Sequence, residues 1–135
     1  KMQDRFKYRA WDKENKKYIY GVEKGLQISS AAGDLHVMTL AEIAESSKYV
    51  LEQCTGLIDK NNKLIYEGNI LAVSPDSNPW DCYKVFWQDD ECQFQTVSYD
   101  GPDAYVELLN ELLEENNMAV IGNIHENSEL LEEKQ

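Results

Sequence analysis

Short stretches that alternate polar and apolar residues, cut by Asp-, Asn- and Lys-rich turns, restrict this chain more than any other feature. Arg5-Phe6-Lys7-Tyr8-Arg9-Ala10-Trp11 is the clearest. With a period of two, Phe6, Tyr8 and Ala10 share one face of a strand and Arg5, Lys7 and Arg9 share the other, which faces water. Asp12-Lys13-Glu14-Asn15-Lys16 then reads as a turn, with Asn15 taking the left-handed conformation, and Lys17 to Val22 as the returning strand. Asp59-Lys60-Asn61-Asn62-Lys63 repeats that turn at four of five positions, with Asn62 as its left-handed residue. Two copies of one turn chemistry are too few for a repeat architecture.

The same pattern continues along the chain. Gly25 to Ile28 reads as a short strand and Ser29 to Asp34 as a loop. Strand patterns follow over Tyr49 to Cys54, where Thr55-Gly56 interrupts the run, and over Asn69 to Val73, which is apolar enough to be buried. Ser74 to Pro79 holds two prolines and must be a loop. Tyr83 to Gln88 and Gln93 to Val97 form a hairpin with Asp89-Asp90-Glu91 at its tip, and Met118 to Ile124 is a last strand. Two helices are expected. Thr39-Leu40-Ala41-Glu42 is a capping box opening a short helix over about 39–46. Pro102-Asp103 suits a helix start, and Tyr105, Leu108, Leu109, Leu112 and Leu113 then make an amphipathic helix over about 102–115. The fold class is therefore mainly β, with curved, barrel-like antiparallel sheets and at most an α+β character.

A chain of 135 residues predicts a single domain over 1–135, with an acidic tail over about 126–135. At this length a chain buries roughly two thirds of its unfolded surface, enough for a core without metal or disulfide staples. The net charge is −12 and it is unevenly spread: residues 1–67 carry 11 basic and 10 acidic groups, residues 68–135 carry 2 and 15. Such a surface repels phosphate backbones and anionic lipid, so nucleic acid and membrane are disfavoured as partners. Three cysteines, Cys54, Cys82 and Cys92, with no signal peptide and no apolar run long enough to span a bilayer, fit a reduced, cytoplasmic protein. With Lys1 before Met2, the natural start is expected at Met2.

The usual chemical templates fail. There is no Gly-x-Ser-x-Gly, no Cys-x-x-Cys, no paired histidines around His36 or His125, and no glycine-rich phosphate loop. Pro75-Asp76 with Asp81 and Lys84 approaches a nuclease pattern, but the spacing puts Asp81 and Lys84 on opposite faces of a strand. Asp89-Asp90-Glu91 lies at a hairpin tip, where carboxylates are ordinarily solvated. Cys54 and Cys82 fit buried, inert thiols. No catalytic, cofactor-binding or metal-ligating residue is assigned. The first hairpin interleaves Arg5, Lys7, Arg9, Lys13, Lys16 and Lys17 with aromatics, a composition that can stack on bases; the alternation instead sends most of those aromatics to the core. Tyr49, Trp80 and Trp87 stay open between core and interface.

Three blocks of the chain resemble one family. Arg5 to Lys17 is similar to the opening of the YopX proteins of phages and prophages. Gln53-Cys54-Thr55-Gly56-Leu57-Ile58 through Asp59 to Ile70 resembles their central Thr-Gly-Leu, Asp-Lys-Asn-Gly-Lys, Ile-Tyr-Glu-Gly-Asp-Ile run. Ala119 to Asn127, followed by Glu129-Leu130-Leu131, is similar to their closing segment. Asn62 stands where the family usually has Gly, and Asn69 where it usually has Asp. Asn tolerates the left-handed turn, and a neutral residue at 69 argues against an essential carboxylate there. The resemblance implies a phage or prophage origin and a mainly β fold; it implies no particular activity. The expected function is a non-enzymatic intracellular binding module with a host or phage protein as partner. One version is an acidic mimic that occupies a host protein's DNA-binding surface, and the alternative class is a metal-dependent hydrolase or nuclease. Homo-oligomers are open, since the basic first hairpin could meet the acidic half of another copy.

Overall fold

A computed structural model describes residues 3–132. Its tertiary contacts divide the chain into two compact units, Lys1–Cys54 and Thr55–Gln135. It is mostly β, with eleven strands and two short helices among the described residues.

In the first unit β1 (Tyr8–Asp12) pairs antiparallel with both β2 (Lys17–Tyr20) and the first half of β5 (Tyr49–Ile58). The strand pattern at Arg5 begins later than expected: residues 4–6 form a 3₁₀ turn, which leaves Phe6 exposed, and pairing starts at Tyr8. In the turn that follows, Lys16 and not Asn15 takes positive φ (52°). Asn15 is spent differently, donating its side-chain amide to the Asp12 carboxylate at 2.8 Å while Asp12 also accepts the Glu14 and Asn15 N–H groups. A second hairpin, β3 (Leu26–Ser29) with β4 (Leu35–Met38), follows, and β4 carries no strong alternating signal. The short helix α1 (Leu40–Glu45) forms where expected, with both hydrogen bonds of the capping box between Thr39 and Glu42 in place. The apolar faces of these elements meet in a core of Ala10, Val22, Leu26, Ile43 and Tyr49, so Tyr49 is a core residue.

The second unit opens on the distal half of β5. Thr55-Gly56 does not end that strand; Gly56 adopts φ 82° within it and β5 continues to Ile58, beside β6 (Leu64–Tyr66). Between them Asn62 has φ 64°, as the turn chemistry predicts. A five-stranded antiparallel sheet follows, in the order β10-β9-β8-β7-β11. Its strands are β7 (Asn69–Ala72), β8 (Tyr83–Gln88), β9 (Gln93–Asp100), β10 (Asp103–Leu108) and β11 (Ala119–Asn123). β7 is buried along its whole length because the sheet is covered on both faces. On one face α2 (Leu109–Glu115) sets Leu109 and Leu112 against Leu71, Val85 and Ile65. On the other, a 3₁₀ turn at Ser128–Leu131 brings Leu130 and Leu131 onto Ile70, Ala72 and Cys82. Trp80 and Trp87 are exposed, Trp87 lying edge-on to Phe94 at 4.9 Å.

The main departure from the sequence reading is at 102–115. The helix occupies only Leu109–Glu115; Asp103–Leu108 is strand, paired through six consecutive residues with Asp100–Gln95 of β9. Gly101 (φ 59°) makes the reversal between the two strands. The ladder to β9 supplies backbone partners that a helix would otherwise have to find within itself, and Ala104, Tyr105 and Val106 suit either state.

Candidate functional site

The residues that carry the central signature are engaged in holding turns. Asp59 is buried; its Oδ1 accepts the N–H groups of Asn61 (2.8 Å) and Lys63 (2.9 Å), and its Oδ2 accepts that of Val120 (2.8 Å). One carboxylate thus closes the β5–β6 turn and ties it to β11. Burial pushes the Asp59 carboxyl up, but the three donated N–H groups outweigh this and hold it below the usual carboxylate range. Thr55 Oγ1 donates to the Ile65 carbonyl at 2.8 Å and accepts from Leu57 N–H. Asn69 Oδ1 accepts from Tyr66 N–H at 2.7 Å, and its Nδ2 donates to the Gly122 carbonyl at 3.4 Å. An aspartate at 69 could make the first bond but not the second. A Cβ on Gly122 would lie 2.6 Å from Asn127 Oδ1, the atom that accepts from Asn123 N–H. These positions define a fold and do not converge on a reacting centre.

The residues weighed for chemistry are dispersed. Cys54 and Cys82 are buried and Cys92 is exposed at the β8–β9 tip; burial raises the Cys82 thiol, the opposite of an activated nucleophile. His36 lies 3.1 Å from Glu42 on an exposed hairpin, and the His125 backbone N–H donates to Asn123 Oδ1. Asp76 and Asp81 are exposed, and Asp81 sits in a 3₁₀ turn (Pro79–Asp81) ahead of β8, so the strand-face argument against pairing it with Lys84 does not apply. Glu91 accepts the amides of Gln93 and Gln95 at 2.6 Å each. Among the described residues no group of three or more His, Cys, Asp or Glu side chains is arranged to hold a metal ion.

Two features escaped the sequence reading. The first is in β1. Arg9 was expected to face water beside Arg5 and Lys7, yet it is 3% exposed. Its Nε lies 2.8 Å from Glu52 Oε1, directly across the β1–β5 ladder, and its guanidinium stacks 3.8 Å from the centre of the Tyr18 ring. Tyr18 donates its hydroxyl to the same carboxylate oxygen at 3.0 Å. Burial and the adjacent Glu52 raise the Tyr18 phenol well above its ordinary value, so it stays a neutral donor. The only available signal was a glutamate in a half-apolar strand, and its partner 43 residues away was not visible.

The second feature is the outer edge of the five-stranded sheet. β10 ends the strand order and residues 103–106 are exposed. Tyr105 is 56% exposed on one face and Val106 58% on the other. Asp103 and Glu107 share the face of Tyr105 by strand alternation. Glu107 is crowded: partial burial raises its carboxyl, and Glu115 and Glu111 raise it further. Among the described residues no Lys or Arg forms an ion pair with an acidic residue from Asp76 to Glu132.

The arrangement is that of a mostly β protein whose marked polar residues serve its turns and whose acids from Asp76 to Glu132 form no ion pair with Lys or Arg among the described residues. The match to a family model, described as YopX protein, extends over residues 7–132, and the chain belongs to the YopX family. The chain is also similar to the crystal structure of protein EF1440 from Enterococcus faecalis, with 26% identity, a TM-score of 0.48, and coverage of 93% of this chain and 97% of that one. No curated protein matches it. No described helix is long and apolar enough to cross a membrane.

Proposed function

We propose that this chain is a phage- or prophage-borne accessory protein that works in the host cytoplasm as a non-enzymatic binding module for a basic protein. The observation that carries this reading is the uncompensated acidity of the second unit. Residues 68–135 hold 15 acidic and 2 basic groups, and the acids from Asp76 to Glu132 form no ion pair with Lys or Arg among the described residues. Such self-repulsion costs stability, and a basic partner relieves it. The spending of Asp59, Thr55 and Asn69 on turns also favours binding over catalysis, because it ties these three signature side chains to backbone groups.

The test is a tagged pull-down from host lysate at low and moderate salt, with and without nuclease treatment, with the triple variant Glu111→Gln, Glu114→Gln, Glu115→Gln in parallel. A protein recovered at low salt and lost with the variant supports the reading. Nucleic acid recovered in untreated lysate would shift attention to the Arg5–Lys17 segment. Strong thermal stabilisation by Mg²⁺ or Mn²⁺ together with phosphodiester cleavage would replace the reading with the hydrolase alternative.

A further inference from the structure

The binding reading leaves open which part of the acidic unit is engaged and by what. Four observations converge on β10. It is the last strand of its sheet, bonded on one side to β9 only, so alternate N–H and C=O groups of the other side point outward. Its pairing with β9 runs through six residues without a register shift, so no bulge turns the edge away. Asp103–Leu108 contains no lysine and no proline, and its two charges, Asp103 and Glu107, are both acidic, so the edge is guarded against acidic strands and not against basic ones. Residues 103–106 are exposed with an aromatic and a β-branched side chain on opposite faces.

Charge selects the occupant. In a second copy paired antiparallel about Tyr105, Asp103 would oppose Glu107 across the new ladder, in a region already crowded by Glu111 and Glu115. A strand with Lys or Arg at alternate positions meets the opposite situation. Its cations would lie along the Asp103–Tyr105–Glu107 face, near two carboxylates and the exposed tyrosine ring. Its intervening side chains would lie against Ala104 and Val106 and favour β-branched residues.

We propose that β10 accepts an extended segment of a basic partner protein, with alternating cationic and β-branched side chains, as a sixth antiparallel or parallel strand. This rests on the binding-module reading and specifies its surface. Main-chain bonds to β10 supply affinity, and the two faces supply the alternation rule.

The experiment uses the full chain and a fluorescein-labelled peptide of alternating Lys and Val, with an alternating Glu–Val peptide and a Lys–Gly peptide of equal charge as comparisons. Anisotropy at low salt is combined with amide exchange. The Lys–Val peptide should bind, the Glu–Val peptide should not, and the Lys–Gly peptide should bind at least about tenfold more weakly. Amides of residues 103–107 should gain protection. Val106→Lys, at an exposed position, should weaken Lys–Val binding by about tenfold or more. Asp103→Asn with Glu107→Gln should weaken it without changing the fold. Equal binding of the Lys–Val and Lys–Gly peptides, indifference to Val106→Lys, or protection confined to α2 would overturn strand addition while leaving an acidic binding surface intact. A dimer abolished by Val106→Lys would replace the peptide by a second copy. Failure of every basic peptide, with an empty pull-down, would overturn both readings.

Discussion

Arg9 and Glu52 are an oppositely charged pair that the fold takes out of water almost completely. Each is 3% exposed and each is the other's cross-strand neighbour. Removing one partner strands the other, so Arg9→Met should cost about 3–5 kcal/mol in urea unfolding. Arg9→Met with Glu52→Leu should cost clearly less than the sum of the two single changes. Strict additivity would show that the pair is not a coupled unit. Asp59 makes a parallel case with hydrogen bonds. Asp59→Asn keeps an acceptor for Asn61 and Lys63 but sets an amide against the Val120 N–H, and should cost about 1–3 kcal/mol. The folded-state values of Asp59 and Asp12 lie below the ordinary carboxylate value. Their contribution is therefore complete above about pH 4 and is lost as pH falls through the folded values. Unfolding free energies between pH 3 and 7 should show a smaller acid-induced loss in Asp59→Asn than in the parent chain.

The β10–α2 segment shows how one stretch of sequence serves two elements. Leu109, Leu112 and Leu113 keep helical spacing and reach the core from α2, while Asp103–Leu108 gives its backbone to β9. Placing Glu107 at this junction has a cost. Its carboxyl is raised by partial burial and by Glu115, so ionisation is less favourable in the folded state than in the unfolded chain. A raised carboxyl contributes its stability below the unfolded value, about 4.3, and loses it as pH rises through the folded value. Glu107→Gln should therefore stabilise the protein at pH 7 by about 0.5 kcal/mol, and the gain should vanish near pH 4. A gain that persists at low pH would point to packing, not charge.

At the scale of the molecule, charge opposes folding of the second unit. With 15 acids against 2 bases after residue 67, screening should help: the Debye length falls from about 30 Å at 0.01 M salt to about 3 Å at 1 M. Thermal unfolding in NaCl should give a Tm that rises with salt, by about 2–4 °C per kcal/mol of repulsion removed. A Tm that falls with salt would mean that attractive pairs dominate, contrary to the absence of ion pairs between Lys or Arg and Asp76–Glu132 among the described residues. Using NaCl and not a divalent salt keeps screening separate from specific binding.

Local chemistry was legible where it is local in fact. The Asp12 and Asp59 turns, the left-handed Asn62, the Thr39 capping box and the β8–β9 hairpin each depend on residues within a few positions of one another, and the family resemblance followed from the same segments. Asn15 against Lys16 shows the limit even there, since two residues could close one turn and the Asp12 carboxylate decided between them. The burial of Arg9, the strand at Asp103–Leu108 and the exposed edge of β10 were settled by partners 43 or fewer residues away that alternation cannot identify. A period of two says which residues share a face. Only the assembled sheet decides which faces are covered, which strand stands at the edge, and therefore which charges meet water and which meet each other.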